Sequence, residues 1–216
     1  RVRRQMDARA EPGPDPNTFR VRRPIVGQPL VSILVPFRDK PELLSTCVES
    51  ILEKTDYAYF EIVGIDNGSS DAATHALMRE LERRDSRIRF VAYEAPFNYS
   101  SINNFGARHA RGEHLLLLNN DTEIIEAQWL RALLEHSQRP EVGVVGAKLL
   151  YSDSRIQHAG VIVGIGGVAG HAHLLQPRDH PGYFSRAQLQ QNMSAVTFAC
   201  AMTRRDVFEK LGGLNE

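Results

Sequence analysis

Apolar residues in this chain gather in short unbroken runs, and between the runs they recur at helical spacing. The plainest run is His114-Leu115-Leu116-Leu117-Leu118, with Gly112 before it and Asn119-Asn120-Asp121 after it. So apolar a segment reads as a strand buried on both faces, the kind found in parallel sheets. Residues 31–36 and 60–65 read the same way, and residues 88–92 as a shorter strand. Leu43, Leu44, Cys47, Val48, Ile51 and Leu52 repeat at helical spacing, with Asp39 ahead of Pro41 and Glu42 as a start signal. Residues 72–81 predict a second helix, residues 102–110 a third, and Trp129, Leu130, Leu133 and Leu134 a fourth. Strands alternating with helices imply right-handed crossovers and a mostly parallel sheet, so the fold class is α/β.

The remainder is less regular. Residues 142–147 read as another strand, but from Tyr151 the glycines 160, 164, 166, 167 and 170 interrupt the apolar pattern. His171, His173, Pro177 and Pro181 follow, and the expectation is short strands with a long loop that serves as a lid or acceptor surface. Order returns over residues 195–203 and in a short helix over 206–211. Residues 1–30, rich in Arg and Pro, read as a linker or N-terminal arm, leaving residues 31–216 as one domain.

Composition narrows the partners. Lys plus Arg equals Asp plus Glu at 26 each, so no global charge argues for nucleic acid. Cys47 and Cys200 lack paired spacing, which suits reduced thiols in a cytosolic setting. No run approaches the ~18 apolar residues of a membrane span, and the basic start lacks the apolar core of a signal peptide, so a soluble domain is expected.

Three strand ends, Pro36-Phe37-Arg38-Asp39, Asp66-Asn67-Gly68-Ser69 and Asn119-Asn120-Asp121, fall on the same edge of one parallel sheet. Ligands in open α/β sheets bind outside that edge. Asp66 can accept from a base N–H or a ribose hydroxyl, Gly68 permits close backbone approach, and Asp121 can hold a divalent cation on a diphosphate. The same residues also suit plain turns and N-caps.

Together with Asn103-Asn104-Phe105-Gly106 and the closing Arg204–Glu216 segment, these motifs make the chain resemble a family-2 glycosyltransferase of the GT-A fold, over roughly residues 31–216. The resemblance implies a Rossmann-like, mostly parallel central sheet flanked by helices, with an irregular acceptor-side region. It implies a hexosyl- or deoxyhexosyltransferase that moves a sugar from a UDP- or dTDP-sugar donor to a glycan or lipid-linked glycan hydroxyl, inverting, with Mg2+ or Mn2+. Pro36, Phe37, Arg38 and Asp39 then line the nucleotide pocket with Asn67, Gly68 and Asn119. Asp66 meets the base, Asn98 and Asn104 lie near the donor, Asn120 faces the ribose, and Asp121 ligates the metal. The setting implied is cell-envelope polysaccharide synthesis in the cytoplasm, at the inner face of a membrane with peripheral association, within a longer chain.

Two departures stand out. The family's Asp-x-Asp signature appears here as Asn119-Asn120-Asp121, with one charged ligand. The family's general base lies in an acidic pair past the Gly-Gly segment, so it is expected beyond Glu216, with Glu216, Asp153 and Asp179 as the carboxylates to test inside the chain. Gly164-Ile165-Gly166-Gly167-Val168-Ala169 fits a dinucleotide fingerprint formally, but prolines rather than a helix follow it. His158, His171 and His173 lack the fixed spacing of a zinc set, and His171 and His173 are alternatively contacts for acceptor or phosphate. A noncatalytic nucleotide-sugar binding module of a larger polysaccharide synthase is the rival reading, and a metallohydrolase using Asp121 and the histidines is the third.

Overall fold

The computed structural model describes residues 8–216. They form two compact units, one of Val26–Val144 with Phe198–Glu216, the other of residues 8–25 with Val145–Thr197. In chain order the strands are β1 (Arg9–Pro12), β2 (Phe19–Arg22), β3 (Val31–Phe37), β4 (Phe60–Asp66), β5 (Ile88–Ala92), β6 (His114–Leu118), β7 (Val145–Gly146), β8 (Leu149–Leu150), β9 (Ile156–His158), β10 (Val161–Val163), β11 (Ala169–His171) and β12 (Cys200–Arg204). The α-helices are α1 (Pro41–Lys54), α2 (Ala72–Arg84), α3 (Tyr99–His109), α4 (Trp129–Ser137) and α5 (Arg205–Lys210).

The larger unit holds neighbouring strands in the order β5-β4-β3-β6-β12. The first three pairings are parallel and β12 runs antiparallel to β6. Strands β4 and β6 are buried throughout and β3 almost so, as their unbroken apolar runs require. On one face Leu34, Val63, Ile65, Leu115 and Leu117 pack with Ile102 and Ala107 of α3 and Phe208 of α5. Strand alternation turns Ile33, Val35, Ile62, Leu116 and Leu118 to the other face.

The helix starts differ from expectation at one place. Helix α2 is capped by Asp71, whose carboxylate accepts from the Ala73 and Thr74 N–H groups, and α3 by Asn98, which accepts from Ser101 N–H. Asp39 does not cap α1: the N-cap is Lys40, left-handed and without a side-chain cap. Asp39 is itself left-handed, and its carboxylate serves another loop.

At the amino ends of the strands sits a buried charged cluster. Glu61 accepts from Ser32 Oγ at 2.6 Å, Arg111 N–H at 2.6 Å and Arg111 Nε at 2.8 Å. Burial disfavours the Glu61 carboxylate, but these hydrogen bonds and the Arg89 charge outweigh it and hold the carboxyl below the usual range.

In the smaller unit β1 and β2 form an antiparallel hairpin with Arg9 opposite Arg22. The arm read over residues 1–30 thus carries regular structure in its described part. The alternating Phe19-Arg20-Val21-Arg22 is the period-two signal, masked in the sequence by the surrounding prolines. The strand expected over residues 142–147 shrinks to Val145–Gly146. Ahead of it the Val142 N–H closes a turn on Arg139, and the Val142 carbonyl accepts from Arg204 rather than from a ladder. Short antiparallel pairs β8–β9 and β10–β11 fill the glycine-rich stretch, as expected there. Among the described residues no helix is long and apolar enough to cross a membrane.

Candidate active site

The register fixes which side chains meet at the carboxyl edge of the sheet. Phe37 pairs with Asp66, and Leu34 with Leu117, so the segments after β3, β4 and β6 leave the sheet side by side. Neighbouring strands are about 4.8 Å apart, which puts the ends of β4 and β6 roughly 10 Å apart with β3 between them.

The first two segments are clasped to each other. Asp39 N–H donates to Ser69 Oγ at 2.7 Å, and Asp39 Oδ1 accepts from the Ser70 and Asp71 N–H groups at 2.8 and 2.9 Å. These two backbone donors hold the Asp39 carboxyl below the usual carboxylate range. Asp66 Oδ1 closes a turn on Ser69 N–H at 2.9 Å. Asn67 donates to the carbonyls of Tyr93 and Ala95, tying in the segment that follows β5. Gly68 has φ 70 with open space where a Cβ would stand, so its backbone is free to be approached. Phe37 is buried against Phe90, edge to face at 5.6 Å, and Arg38 is exposed.

The third segment differs in its electrostatics. Asn119 N–H is held by the Ala199 carbonyl at 2.9 Å, and the Asn119 carbonyl accepts from Thr122 N–H and lies 3.8 Å from Cys47 Sγ. Asp121 is exposed, and its carboxylate makes no hydrogen bond or ion pair with a described residue. No group of three or more His, Cys, Asp or Glu that could hold a metal occurs among the described residues. One free carboxylate fits a cation whose remaining ligands are phosphate oxygens and water, as magnesium characteristically binds, and does not fit an all-protein metal cage.

The model of the family described as Glycosyl transferase family 2 matches residues 32–212. The chain belongs to glycosyl transferase family 2. It is 50% identical over 94% of its length to an uncharacterised protein of Sinorhizobium fredii, and 44% identical over 99% to the O-antigen biosynthesis protein RfbC of Myxococcus xanthus. It spans 22% and 17% of those two relatives, about a fifth of each. Among solved structures it resembles a mannosyltransferase from Pyrobaculum calidifontis in complex with GDP-Man and Mn2+, with TM-score 0.64, 18% identity, 88% of this chain and 48% of that chain covered. The GT-A fold expected from the sequence is the fold observed.

Other residues of the expected site make hydrogen bonds within the protein. The Asn98 side-chain oxygen caps α3. Asn104 is fully committed: its amide donates to the Leu214 carbonyl and Glu216 Oε1, both at 2.9 Å, while its oxygen accepts from Leu214 N–H at 2.8 Å. Glu216, hydrogen bonded by Asn104 and Ser101, has its carboxyl held below the usual range, which makes it a weak proton acceptor. Asp153 is likewise lowered, by the N–H and guanidinium of Arg155.

In the smaller unit His171 and His158 lie with their Nδ1 atoms 2.9 Å apart. His158 Nε2 accepts from the Gly160 and Thr197 N–H groups, so His158 donates through Nδ1 and His171 accepts. Burial, then the neighbouring His171, pushes the His158 pKa down to about 4. His173 is also lowered, by burial first and then by His180, Lys148 and Arg186.

Sequence reasoning missed Ser69, whose hydroxyl receives the Asp39 N–H, and Cys47, which packs beneath the Asn119 turn. A hydroxyl in a loop and an apolar position on a helix carry no separate signal of such a role.

Proposed function

We propose that this family 2 chain transfers a sugar from a UDP- or dTDP-sugar to a hydroxyl of a growing cell-envelope glycan, with inversion and with Mg2+ or Mn2+. The observation that carries the reading is the exposed, unpartnered Asp121 carboxylate at the end of a fully buried strand, beside the clasped ends of β3 and β4. The naming of a relative for O-antigen biosynthesis and the solution of a fold neighbour with GDP-Man and Mn2+ support it. Asp121 would hold the cation, which would supply positive charge to the departing diphosphate. Asp66 offers its second carboxylate oxygen to the imide N–H of a pyrimidine, which adenine lacks. Arg38 and the open backbone at Gly68 lie on the same two clasped segments and would border the donor. The acceptor oxygen bonds to the anomeric carbon on the face opposite the departing diphosphate oxygen, and its proton passes to a carboxylate base. A lipid-linked acceptor would place the reaction at the inner face of a membrane.

Calorimetry of UDP, dTDP and ADP binding, with and without Mg2+ or Mn2+, tests this. We expect cation-dependent binding of UDP and dTDP in preference to ADP, a preference abolished in Asp66→Ala. Asp121→Asn should weaken the cation-dependent part by roughly 1–3 kcal/mol, the scale of losing a charged partner. Equal affinities for wild type and Asp121→Asn under both conditions would refute the assignment.

A further inference from the structure

The smaller unit concentrates positive charge beside exposed aromatic rings. From residue 148 to 197 the chain has two acidic residues, Asp153 and Asp179, against Lys148, Arg155, Arg178 and Arg186, and Asp153 is ion-paired to Arg155. The loop carrying most of these is tied into one piece. Lys148 Nζ donates to the carbonyls of Arg178 and Ala187 at 2.7 and 3.0 Å, and the Gln188 amide donates to those of Arg178 and His180 at 2.8 and 3.1 Å. Gly182 lies so close to His173 that a Cβ there would stand 2.6 Å from the imidazole Cε1.

From the same loop Tyr183 and Phe184 project into solvent, 75% and 79% exposed, with ring centroids 4.6 Å apart in an edge contact. Leu174 and Leu175, next to His173, are also exposed. Phe184 and Ser185 have φ 51 and 59, a left-handed backbone that bulky side chains avoid. The loop keeps both rings out of the core at the expense of backbone strain.

We propose that this loop docks the protein on an anionic lipid surface, with Tyr183 and Phe184 entering the headgroup layer and Arg178 and Arg186 facing lipid phosphates. Aromatic rings settle at the headgroup level of bilayers, and basic residues beside them are drawn to anionic lipid. A soluble anion would engage the cations and leave both rings in water, whereas a lipid surface engages both. Because the formal charge of the chain is zero, adsorption has to come from this local patch and not from the whole molecule. The inference shares with the proposed function only the membrane-borne acceptor. Its test involves no donor, cation or turnover, so either can fail alone.

The test is flotation of the full chain with phosphatidylcholine vesicles, with and without phosphatidylglycerol, at low and high salt. Wild type should float with the anionic vesicles, be released by salt, and stay behind with pure phosphatidylcholine. Removing both rings in Tyr183→Ser/Phe184→Ser should lower partitioning at least about tenfold, the scale of one large apolar side chain. Arg178→Gln and Arg186→Gln should each lower it about fivefold and flatten the salt dependence. Circular dichroism checks the fold of each variant. Tyr183→Trp retains a ring, and its emission should shift to the blue on anionic vesicles, which reads insertion without deleting anything. Wild type that does not float, a serine pair that floats as well as wild type, or an unshifted Tyr183→Trp emission would each overturn the proposal. So would release by inorganic phosphate at constant ionic strength, which would mark a site for soluble phosphate.

Discussion

Replacing Glu61 by Gln should cost this domain much of its stability while sparing the candidate site at the other end of the strands. The carboxylate is 3% exposed and accepts from Ser32, from Arg111 N–H and Nε, and more distantly from Arg89 Nε at 3.5 Å. A Gln carbonyl can keep one oxygen's partners, but its amide then turns a donor toward the Arg111 guanidinium. Hydrogen bonds to charged groups contribute about 1.5–3 kcal/mol each, and an unsatisfied buried group adds a penalty of its own. The Arg111 side chain, 65% exposed, can turn to water and recover part of this. The net loss expected is about 2–4 kcal/mol, a large share of the ~5–15 kcal/mol of a typical domain, and corresponds to roughly 5–15 °C in Tm for a chain of this size.

The pH dependence gives a second reading of the same cluster. The folded-state pKa of Glu61 is depressed, so its contribution is fully present above the unfolded value of about 4.3 and is lost as pH falls through the folded value. The gap between wild type and Glu61→Gln should therefore be widest at neutral pH and close toward acid. Urea unfolding across pH measures it. A neutral-pH gap below about 1 kcal/mol, the size of one ordinary hydrogen bond, or a gap that does not change with pH, would refute the reasoning.

Gly64 sits where a Cβ would overlap the Phe90 ring, so Gly64→Ala should destabilise by about 1–3 kcal/mol and displace Phe37 at the site; urea unfolding at the wild-type midpoint would contradict it. Asp39→Asn retains an oxygen for the Ser70 and Asp71 N–H groups and should bind UDP much like wild type, whereas Asp39→Ala should bind more weakly. Equal damage from both in calorimetry would mean that the charge of Asp39 acts on the ligand directly. Burial, then Asp121, pushes the Cys47 thiol up to about 12, and burial with Cys47 does the same to Cys200, so neither should alkylate near pH 8 without denaturant. Labelling of the native protein by iodoacetamide at the rate of a free thiol, followed by mass spectrometry, would contradict this.

The sheet was legible because its strands are buried on both faces: Val31–Phe37, Phe60–Asp66 and His114–Leu118 have no polar alternation to confuse with a helix face. What escaped the sequence depends on partners distant along the chain. Glu61 looks like a stray charge in an apolar run until Ser32 and Arg111 are brought to it across 29 and 50 positions. Asp39 reads as a helix start because it precedes a proline, yet its left-handed backbone aims it at Ser70 and Asp71. Asn104 reads as a ligand contact by resemblance, and its hydrogen bonds to Leu214 and Glu216 carry no sequence signal. The strand ends themselves were readable, since parallel pairing leaves no choice about which edge they share.

Satisfaction by protein partners separates the carboxylates of this unit into two kinds. Glu61 is surrounded by donors, Asp39 and Asp71 each serve backbone N–H groups, and Asp66 has one oxygen closing its own turn. Asp121, exposed and unpaired among the described residues, does nothing of this sort. A carboxylate without a described partner contributes little to folding and leaves both oxygens open to a ligand. Asp121→Asn should therefore leave the unfolding midpoint where it is while weakening cation-dependent binding of UDP, and Glu61→Gln should lower the midpoint while leaving that binding in place wherever the protein remains folded. A loss of stability in Asp121→Asn comparable to that in Glu61→Gln would mean that Asp121 has a structural partner, and the metal assignment would lose its basis.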